Sequence, residues 1–194
     1  MEGKKESASE RILRVADDLF YREGIRAVGI DRIIAESGVA KASFYRNFAT
    51  KDDLIVAYLE HRLGRIVNFF ARARSEPFDS EPERLRSLMD KLAENMKQYG
   101  YRGCPFMNTA VEFPDIEHPG HAKALECRSA LWEELEQVVQ QAGIAESHQL
   151  VEQIRMLWSG AVMVAYINKA EFRPELFSSA AKTLIDSQLA ANET

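Results

Sequence analysis

The sequence predicts an all-α protein whose first 51 residues form a three-helix domain with a helix-turn-helix. Apolar residues recur at helical spacing along almost the whole chain, and no alternating strand pattern interrupts them. Gly38 separates two short apolar segments, where a tight turn between helices needs a glycine. The stretch 37–51 holds three cations and three aromatic residues but no acid, although the 194-residue chain has a net charge of −5.

Caps and apolar faces place the first two helices. Ser7 and Glu10 form a capping box at the start of the first helix, and Gly24 suits its C-terminal stop. The second helix is short and carries three isoleucines, Ile30, Ile33 and Ile34. Gly38 follows it and can adopt the left-handed conformation that a turn into the next helix requires.

The third helix is predicted over about residues 40–48. It carries Phe44 and Phe48 four residues apart, on a face that we expect to point inward. Thr50 and Asp53 then have the spacing of a cap for a long fourth helix.

The remainder of the chain is expected to be helical as well. Two prolines and four acids make residues 75–83 a loop and a candidate boundary. Further helices are predicted at about 82–99, 105–112, 119–142, 147–169 and 174–191. We expect a helix-turn-helix domain over residues 1–51 and a second helical domain over 52–194, connected by a helix from about 51 to 74.

Composition limits the possible settings of the protein. Cys104 and Cys127 form neither a CxxC pair nor a disulfide framework, which favours a reducing compartment. The N-terminus lacks the apolar segment of a signal peptide. The longest uncharged apolar stretch, residues 156–168, has 13 residues, fewer than the roughly 20 that span a bilayer. We therefore expect a cytoplasmic protein with no membrane partner.

The acid-free stretch is the candidate DNA-reading segment. The second helix of a helix-turn-helix enters the major groove with its N-terminal residues first. A carboxylate there would be repelled by DNA phosphates, whereas a cation at a helix start, such as Lys51, is placed to meet one. The residues predicted to contact DNA are Lys41, Ala42, Ser43, Tyr45, Asn47 and Lys51. The alternative reading is an ordinary amphipathic hairpin with a solvated cationic face.

The segment GIDRIIAESGVAKASFYRNFATKDDL resembles the signature of TetR/AcrR-type transcriptional regulators. The resemblance covers about residues 9–55, including the end of the first helix, LFYREG. A second segment, GCPFMNTAVEFPDIEHPGH, resembles one found in a subset of these regulators. Two positions depart from the common pattern: Gly29 lies where many members have a Thr or Ser that caps the second helix, and Asn47 lies where His is more frequent.

The resemblance implies an all-helical dimer, and we expect no cofactor. Its N-terminal domain would bind a near-palindromic double-stranded DNA operator. Its C-terminal domain would bind a small-molecule effector and dimerise through the last two helices. The expected function is a ligand-responsive repressor, released from DNA by a small apolar or amphipathic molecule. The DNA contacts implied by the family fall on the six residues given above.

Two features of the C-terminal half bear on this expectation. The helix around residues 150–168 is apolar on nearly all faces from Met156 onward, so it should be buried all round, against a second copy or its own chain. Large, adaptable side chains suit an apolar ligand cavity, although core packing explains any one of them. The candidates are Met89, Met96, Phe106, Met107, Trp132, Trp158, Met163 and Tyr166.

Other functions receive less support. No nucleotide-binding, zinc-protease or serine-hydrolase motif occurs, so no catalytic residue is assigned. A helical enzyme would have to use the acids and histidines of residues 112–121. Their spacing matches no dedicated metal motif, and the interpretation we favour is an ordinary capped loop, with no metal. Cys104 could sense redox state, although a structural role is favoured. A DNA-binding regulator without a ligand, or an activator, remains open.

Overall fold

The computed structural model describes residues 6–98 and 100–191, and within these ranges all regular secondary structure is helical. The described residues form nine helices, as the sequence predicts, with ends that differ by a few residues from the expected ones. The helices are α1 Ala8–Glu23, α2 Ile30–Ser37, α3 Lys41–Asn47, α4 Lys51–Ser75, α5 Glu81–Asn95, α6 Pro105–Glu112, α7 Pro119–Gln141, α8 Ser147–Ile167 and α9 Pro174–Ala191.

The predicted start and stop of α1 are confirmed. The backbone N–H of Glu10 donates to Ser7 Oγ at 3.2 Å, and that of Ser7 donates to Glu10 Oε2 at 2.7 Å. These two bonds satisfy donors that a helix start would otherwise leave unpaired. Gly24 ends the helix with a φ of 94°, a conformation that side chains disfavour.

The predicted helix-turn-helix is formed by α2 and α3. Gly38 has a φ of 65° and donates its N–H to Ile34 O, which closes α2 in the left-handed turn. At its other end α2 follows Gly29, which provides no side-chain cap, as the missing hydroxyl predicts. Beyond α3, the N–H of Asp53 donates to Thr50 Oγ1 at 3.0 Å, which confirms the predicted cap of α4.

Packing divides the described residues into two compact units. The first contains the residues up to Leu63 together with Pro105–Cys127, so that α6 and the start of α7 pack with the N-terminal helices. The second contains Gly64–Cys104 and the chain from Arg128 onward. This grouping follows internal packing, whereas the predicted limits of 1–51 and 52–194 concern function and stay a prediction.

The first unit has an apolar core centred on α1 and α4. Its fully buried side chains include Ile12, Leu19, Ile33, Phe44, Leu54, Ile55 and Leu59. Phe20 and Tyr58 meet edge to face across these helices, with ring centroids 5.5 Å apart. Asp17 and Arg62 form an ion pair whose side chains are only 14% and 13% exposed, which fixes α4 against α1.

The second unit packs α9 against both α5 and α8. Its core combines Leu85, Leu88 and Met89 of α5 with Phe177, Ala181 and Ile185 of α9. In the same unit Arg74 of α4 and Glu134 of α7 form an ion pair at 2.6 Å, and both side chains are mostly buried.

The single chain leaves part of α8 exposed. The sequence predicts that this helix is buried all round, against a second copy or its own chain, and in the single chain several large apolar side chains stay exposed: Met156, Met163, Val164, Tyr166 and Ile167. Its own chain therefore covers only one side of α8. Among the described residues, α8 is the one helix long and apolar enough to cross a membrane. Length and composition alone are weak support for a membrane span.

Candidate DNA-binding interface

The recognition helix α3 has a structural face and an exposed face. Phe44 is completely buried and Phe48 is 8% exposed, which confirms that both point inward. Tyr45 is 43% exposed and touches Phe44 edge to face, with ring centroids 5.3 Å apart. The two adjacent aromatic residues therefore have different roles, since Phe44 packs the helix against the core and Tyr45 exposes its hydroxyl end to solvent.

The predicted DNA-contacting side chains at the start of α3 lie at the surface. Lys41 and Ala42 are exposed, and Ser43 is partly exposed. The Lys41 ammonium is 3.3 Å from the Asp31 carboxylate, with side chains 66% and 88% exposed. Such an exposed pair contributes little stability, so a DNA phosphate can compete for the lysine. The DNA contacts of these residues stay a prediction.

Asn47 is exposed but partly engaged by its own helix. Its side-chain Nδ2 donates to Ser43 O at 2.7 Å. This bond holds the amide against the end of α3 and leaves the side-chain oxygen as a free acceptor within the described surroundings. A role for Asn47 at a base or phosphate stays a prediction.

The predicted set omits Arg46, which lies at the centre of the exposed face. It follows Ala42 by four residues, opposite Phe44 and Phe48, and is exposed. No side-chain hydrogen bond or ion pair of Arg46 occurs within residues 6–98 and 100–191. The helical period measured from the two phenylalanines would have found this residue. Arginine is also the commonest reader of guanine edges in the major groove.

Lys51 occupies a more internal position than its predicted phosphate contact requires. Its Nζ donates to Ile25 O at 2.7 Å and lies 5.9 Å from the centroid of the Phe20 ring. Burial lowers the pKa of the Lys51 ammonium, and the nearby carboxylates of Glu112 and Asp52 oppose that change. Lys51 thus supports the loop after α1, and its contact with DNA stays a prediction.

Asp115, His118 and His121 form hydrogen bonds within residues 113–121, whereas Glu112 bonds to the distant Arg26 N–H. Asp115 accepts from the N–H of Glu117, and His118 Nδ1 accepts from the N–H of Gly120. His121 Nδ1 lies 2.7 Å from Phe113 O. No group of three metal-ligating side chains occurs in the part of the chain that the structure describes. This geometry corresponds to the capped loop that the sequence favours.

The predicted ligand residues fall in both units. Phe106 and Met107 lie on α6 of the first unit, where Phe106 is buried. In the second unit, Trp132 of α7 and Trp158 of α8 meet edge to face at 5.4 Å. The other four residues divide by helix, since Met89 and Met96 of the α5 region are buried, whereas Met163 and Tyr166 of α8 are 47% and 44% exposed. A ligand-binding role for these residues stays a prediction.

The second unit also has an apolar groove between α8 and α9, with a volume of about 670 Å³. Its lining includes Met156, Gly160 and Val164 of α8, with Leu176 and Ala180 of α9. None of the eight predicted ligand residues lines it. Its two sides are the last two helices, for which the family resemblance implies a dimer contact.

An all-helical chain with an exposed, acid-free recognition helix has the architecture of a DNA-binding transcriptional regulator. Comparison with protein-family models identifies the group. Residues 12–58 match the model for bacterial regulatory proteins of the tetR family, and residues 82–181 match the tetracyclin repressor-like C-terminal domain. The chain belongs to the TetR family of transcriptional regulators.

Individual relatives agree with this assignment. The crystal structure of a TetR-family regulator from Streptomyces coelicolor is 33% identical, covers 95% of each chain and superposes with a TM-score of 0.80. The transcriptional regulator AcuR of Cereibacter sphaeroides is 28% identical over 91% of this chain and 83% of its own. The transcriptional activator FasR of Mycolicibacterium smegmatis is 26% identical over 63% of this chain and 56% of its own.

Family membership decides the class of protein. Because the matching families and relatives are all regulators, the chain is a DNA-binding transcriptional regulator and not an enzyme. The family also acts as dimers that respond to small-molecule effectors, and its members are soluble bacterial proteins.

Proposed function

We propose that this protein is a ligand-responsive repressor that binds a near-palindromic operator as a homodimer in the cytoplasm. The observation that carries the proposal is the exposed face of α3, where Ala42, Ser43 and Arg46 lie beside Lys41 and Tyr45 and no acid is present on the helix. In the dimer, two such helices would lie about one DNA turn apart, roughly 34–36 Å.

The DNA contacts can be tested by alanine substitution on an operator selected from random duplexes. Lys41→Ala and Arg46→Ala should each weaken binding. Each should also make affinity less dependent on salt, because one phosphate contact is lost, which changes the slope of log affinity against log salt concentration by about 0.9. If Arg46 reads a base, its loss should also relax the preference at one operator position by about 1–3 kcal/mol.

Lys97→Ala provides a matched control for Lys41→Ala. Both lysines are exposed and paired with an acid, Lys97 with Glu94 at 2.8 Å, but Lys97 follows α5 in the second unit. Its removal should leave affinity and salt slope unchanged. Equal behaviour of all three variants would exclude the proposed contact surface.

The proposed dimer contact is the groove between α8 and α9 together with the exposed side of α8. Met156 and Leu176 are 67% and 66% exposed in the single chain, although they are large and apolar. Gly160 has no neighbouring atom within 4 Å of a built Cβ, so a partner helix can approach closely there. A second copy would remove this surface from water, which is the principal source of stability in such contacts.

Charge introduced into the groove tests that assignment. Met156→Glu should reduce the particle mass measured by light scattering from twice 22.0 kDa to 22.0 kDa. Ile116→Glu serves as the control, since Ile116 is an apolar side chain, 69% exposed, on the loop between α6 and α7. A dimer that survives Met156→Glu but dissociates in Ile116→Glu would place the interface elsewhere.

The effector is proposed to be a small apolar or amphipathic molecule bound near the tryptophan pair. The chain contains two tryptophans, and Trp132 and Trp158 contact each other edge to face, so tryptophan fluorescence reports on this region alone. A ligand that quenches this fluorescence should release the operator, and the operator should weaken that ligand by the same factor. If the ligand and the operator bind without weakening each other, the protein is a regulator that does not use this ligand. The relative FasR is an activator, which is the other alternative to a repressor.

A further inference from the structure

We propose that Glu112, at the C-terminal end of α6, is a positioning residue for DNA binding, because it fixes one peptide group in the loop between α1 and α2. The inference rests on the proposed DNA-binding function and adds to it a residue that no recognition-helix pattern contains.

The central observation is that one peptide group is held at both ends. Glu112 Oε2 accepts a hydrogen bond from the N–H of Arg26 at 2.8 Å, across 86 positions of sequence. Lys51 Nζ donates to the O of Ile25 at 2.7 Å. These two atoms belong to the same peptide group, so an anion binds its positive end and a cation binds its negative end. Charge-assisted bonds of this kind are stronger than neutral ones and fix the orientation of the peptide plane.

The surrounding contacts restrict the same loop. The Glu112 carboxylate lies close to Gly24, where a built Cβ would be 3.3 Å from Oε1. The guanidinium of Arg26 lies 5.3 Å from the centroid of the Phe113 ring, and Phe113 stacks on His118 at 4.2 Å. The residue after Glu112 therefore holds the side chain of Arg26, while Glu112 holds its backbone.

This support matters because α2 has no cap of its own. Gly29 precedes α2 without a side-chain hydrogen bond to the first turn. The direction of α2, and of the recognition helix that follows it, therefore depends on how the loop from Gly24 to Gly29 is held. Lys51 stands at the start of α4 and Glu112 at the end of α6, so the loop is positioned jointly by these two helices. A displacement at the end of α6 would be transmitted directly to this peptide group.

Two substitutions at Glu112 separate its roles in the full-length protein. Glu112→Ala removes both the acceptor and the charge, and should weaken operator affinity at least about tenfold. Glu112→Gln keeps an acceptor oxygen without the charge, and should recover part of that loss. Because neither variant removes a phosphate contact, the salt slope should stay at the wild-type value, unlike that of Lys41→Ala.

Hydrogen exchange at the Arg26 amide distinguishes loss of this one hydrogen bond from general destabilisation of the protein. Its protection should fall in Glu112→Ala while protection in α5 and α9 is kept. Titration of each variant to stoichiometric saturation measures the folded, active fraction, so unfolding would lower that fraction and leave the affinity of the remainder unchanged. Glu133→Ala is the matched control, since Glu133 is exposed on α7 and forms no ion pair within the described ranges.

The outcomes separate this inference from the proposed function. Failure of the wild-type protein to bind any selected duplex would refute the proposed function itself. Wild-type binding together with wild-type affinity in Glu112→Ala, or an unchanged Arg26 amide in that variant, would overturn the role of Glu112. Weaker binding with an unchanged salt slope and a deprotected Arg26 amide would support it.

Discussion

Substitution of the two adjacent aromatic residues of α3 provides a sharp test of how the recognition helix is built. Phe44 has no exposed surface, whereas Tyr45 is 43% exposed. Phe44→Ala should therefore damage the fold of the helix-turn-helix, and Tyr45→Ala should damage the surface that meets DNA. Because the residues are neighbours, differences in position along the chain cannot explain a difference between the two variants.

The expected magnitudes follow from burial. Truncation of a fully buried phenylalanine to alanine costs about 3–5 kcal/mol, of which part reflects the cavity that remains. That is a large share of the roughly 5–15 kcal/mol that stabilises a typical protein. Tyr45→Ala loses mainly the edge-to-face contact with Phe44, which contributes about 0.5–1.5 kcal/mol.

Urea unfolding and operator binding should be measured on both variants. Phe44→Ala should unfold its N-terminal helices at much lower urea concentration, with hydrogen-exchange protection lost first in α2 and α3. Tyr45→Ala should keep a near-native midpoint and still bind DNA much more weakly. The particle mass should remain that of a dimer in both, since the proposed dimer surface lies on α8 and α9.

The reverse pattern would refute this description of α3. Near-native stability of Phe44→Ala, together with a large loss of stability in Tyr45→Ala, would mean that the faces of the helix are exchanged. If Tyr45→Ala binds DNA with native affinity, Tyr45 is not part of the contact surface, although the description of the fold of α3 still holds.

Three further predictions follow from backbone geometry and burial. Gly38→Ala should lower the free energy of unfolding by about 1–2 kcal/mol, because φ is 65° there. Gly64→Ala, in an open position on α4, should instead raise the free energy of unfolding by about 0.5–1 kcal/mol. Thr50→Ala should cost about 1 kcal/mol through loss of the α4 cap, measured by the same urea midpoints. Burial raises the pKa of the Cys127 thiol from 9.0 to about 11, so the folded state holds this proton longer than the unfolded state. Stability should therefore fall as the pH rises from about 9 to about 11, and Cys127→Ala should reduce that fall; an equal fall in both proteins would assign it to other groups.

The local features of the fold could be predicted because each depends on a few neighbouring residues. The Ser7–Glu10 capping box, the left-handed turn at Gly38 and the cap at Thr50 each follow from side chains within three or four positions. The inward orientation of Phe44 follows equally from the helical period. The exposed side of α8 could not be anticipated in this way, since hydrophobicity indicates that a surface is covered without indicating whether its own chain covers it.

The supporting contacts of the site required three-dimensional information. The bond from Glu112 to the Arg26 amide joins residues 86 positions apart, and no periodicity connects them. The spacing of Thr50 and Asp53 placed Lys51 correctly at the start of α4, but its burial beside Ile25 depends on how the helices pack. Arg46 could have been predicted from the sequence alone, since the helical period measured from Phe44 and Phe48 puts it on the exposed face of α3.

The most direct test of the central claim is fluorescence anisotropy of the wild-type protein on DNA from upstream of its own gene, compared with a scrambled duplex at two salt concentrations. A specific dimeric repressor should bind the native duplex tightly and the scrambled duplex weakly, with affinity that falls steeply as salt rises. Selected operator duplexes extend the same measurement to targets elsewhere in the genome. Absence of salt-dependent binding to native and selected duplexes alike would contradict the assignment of α3 as a DNA-reading helix.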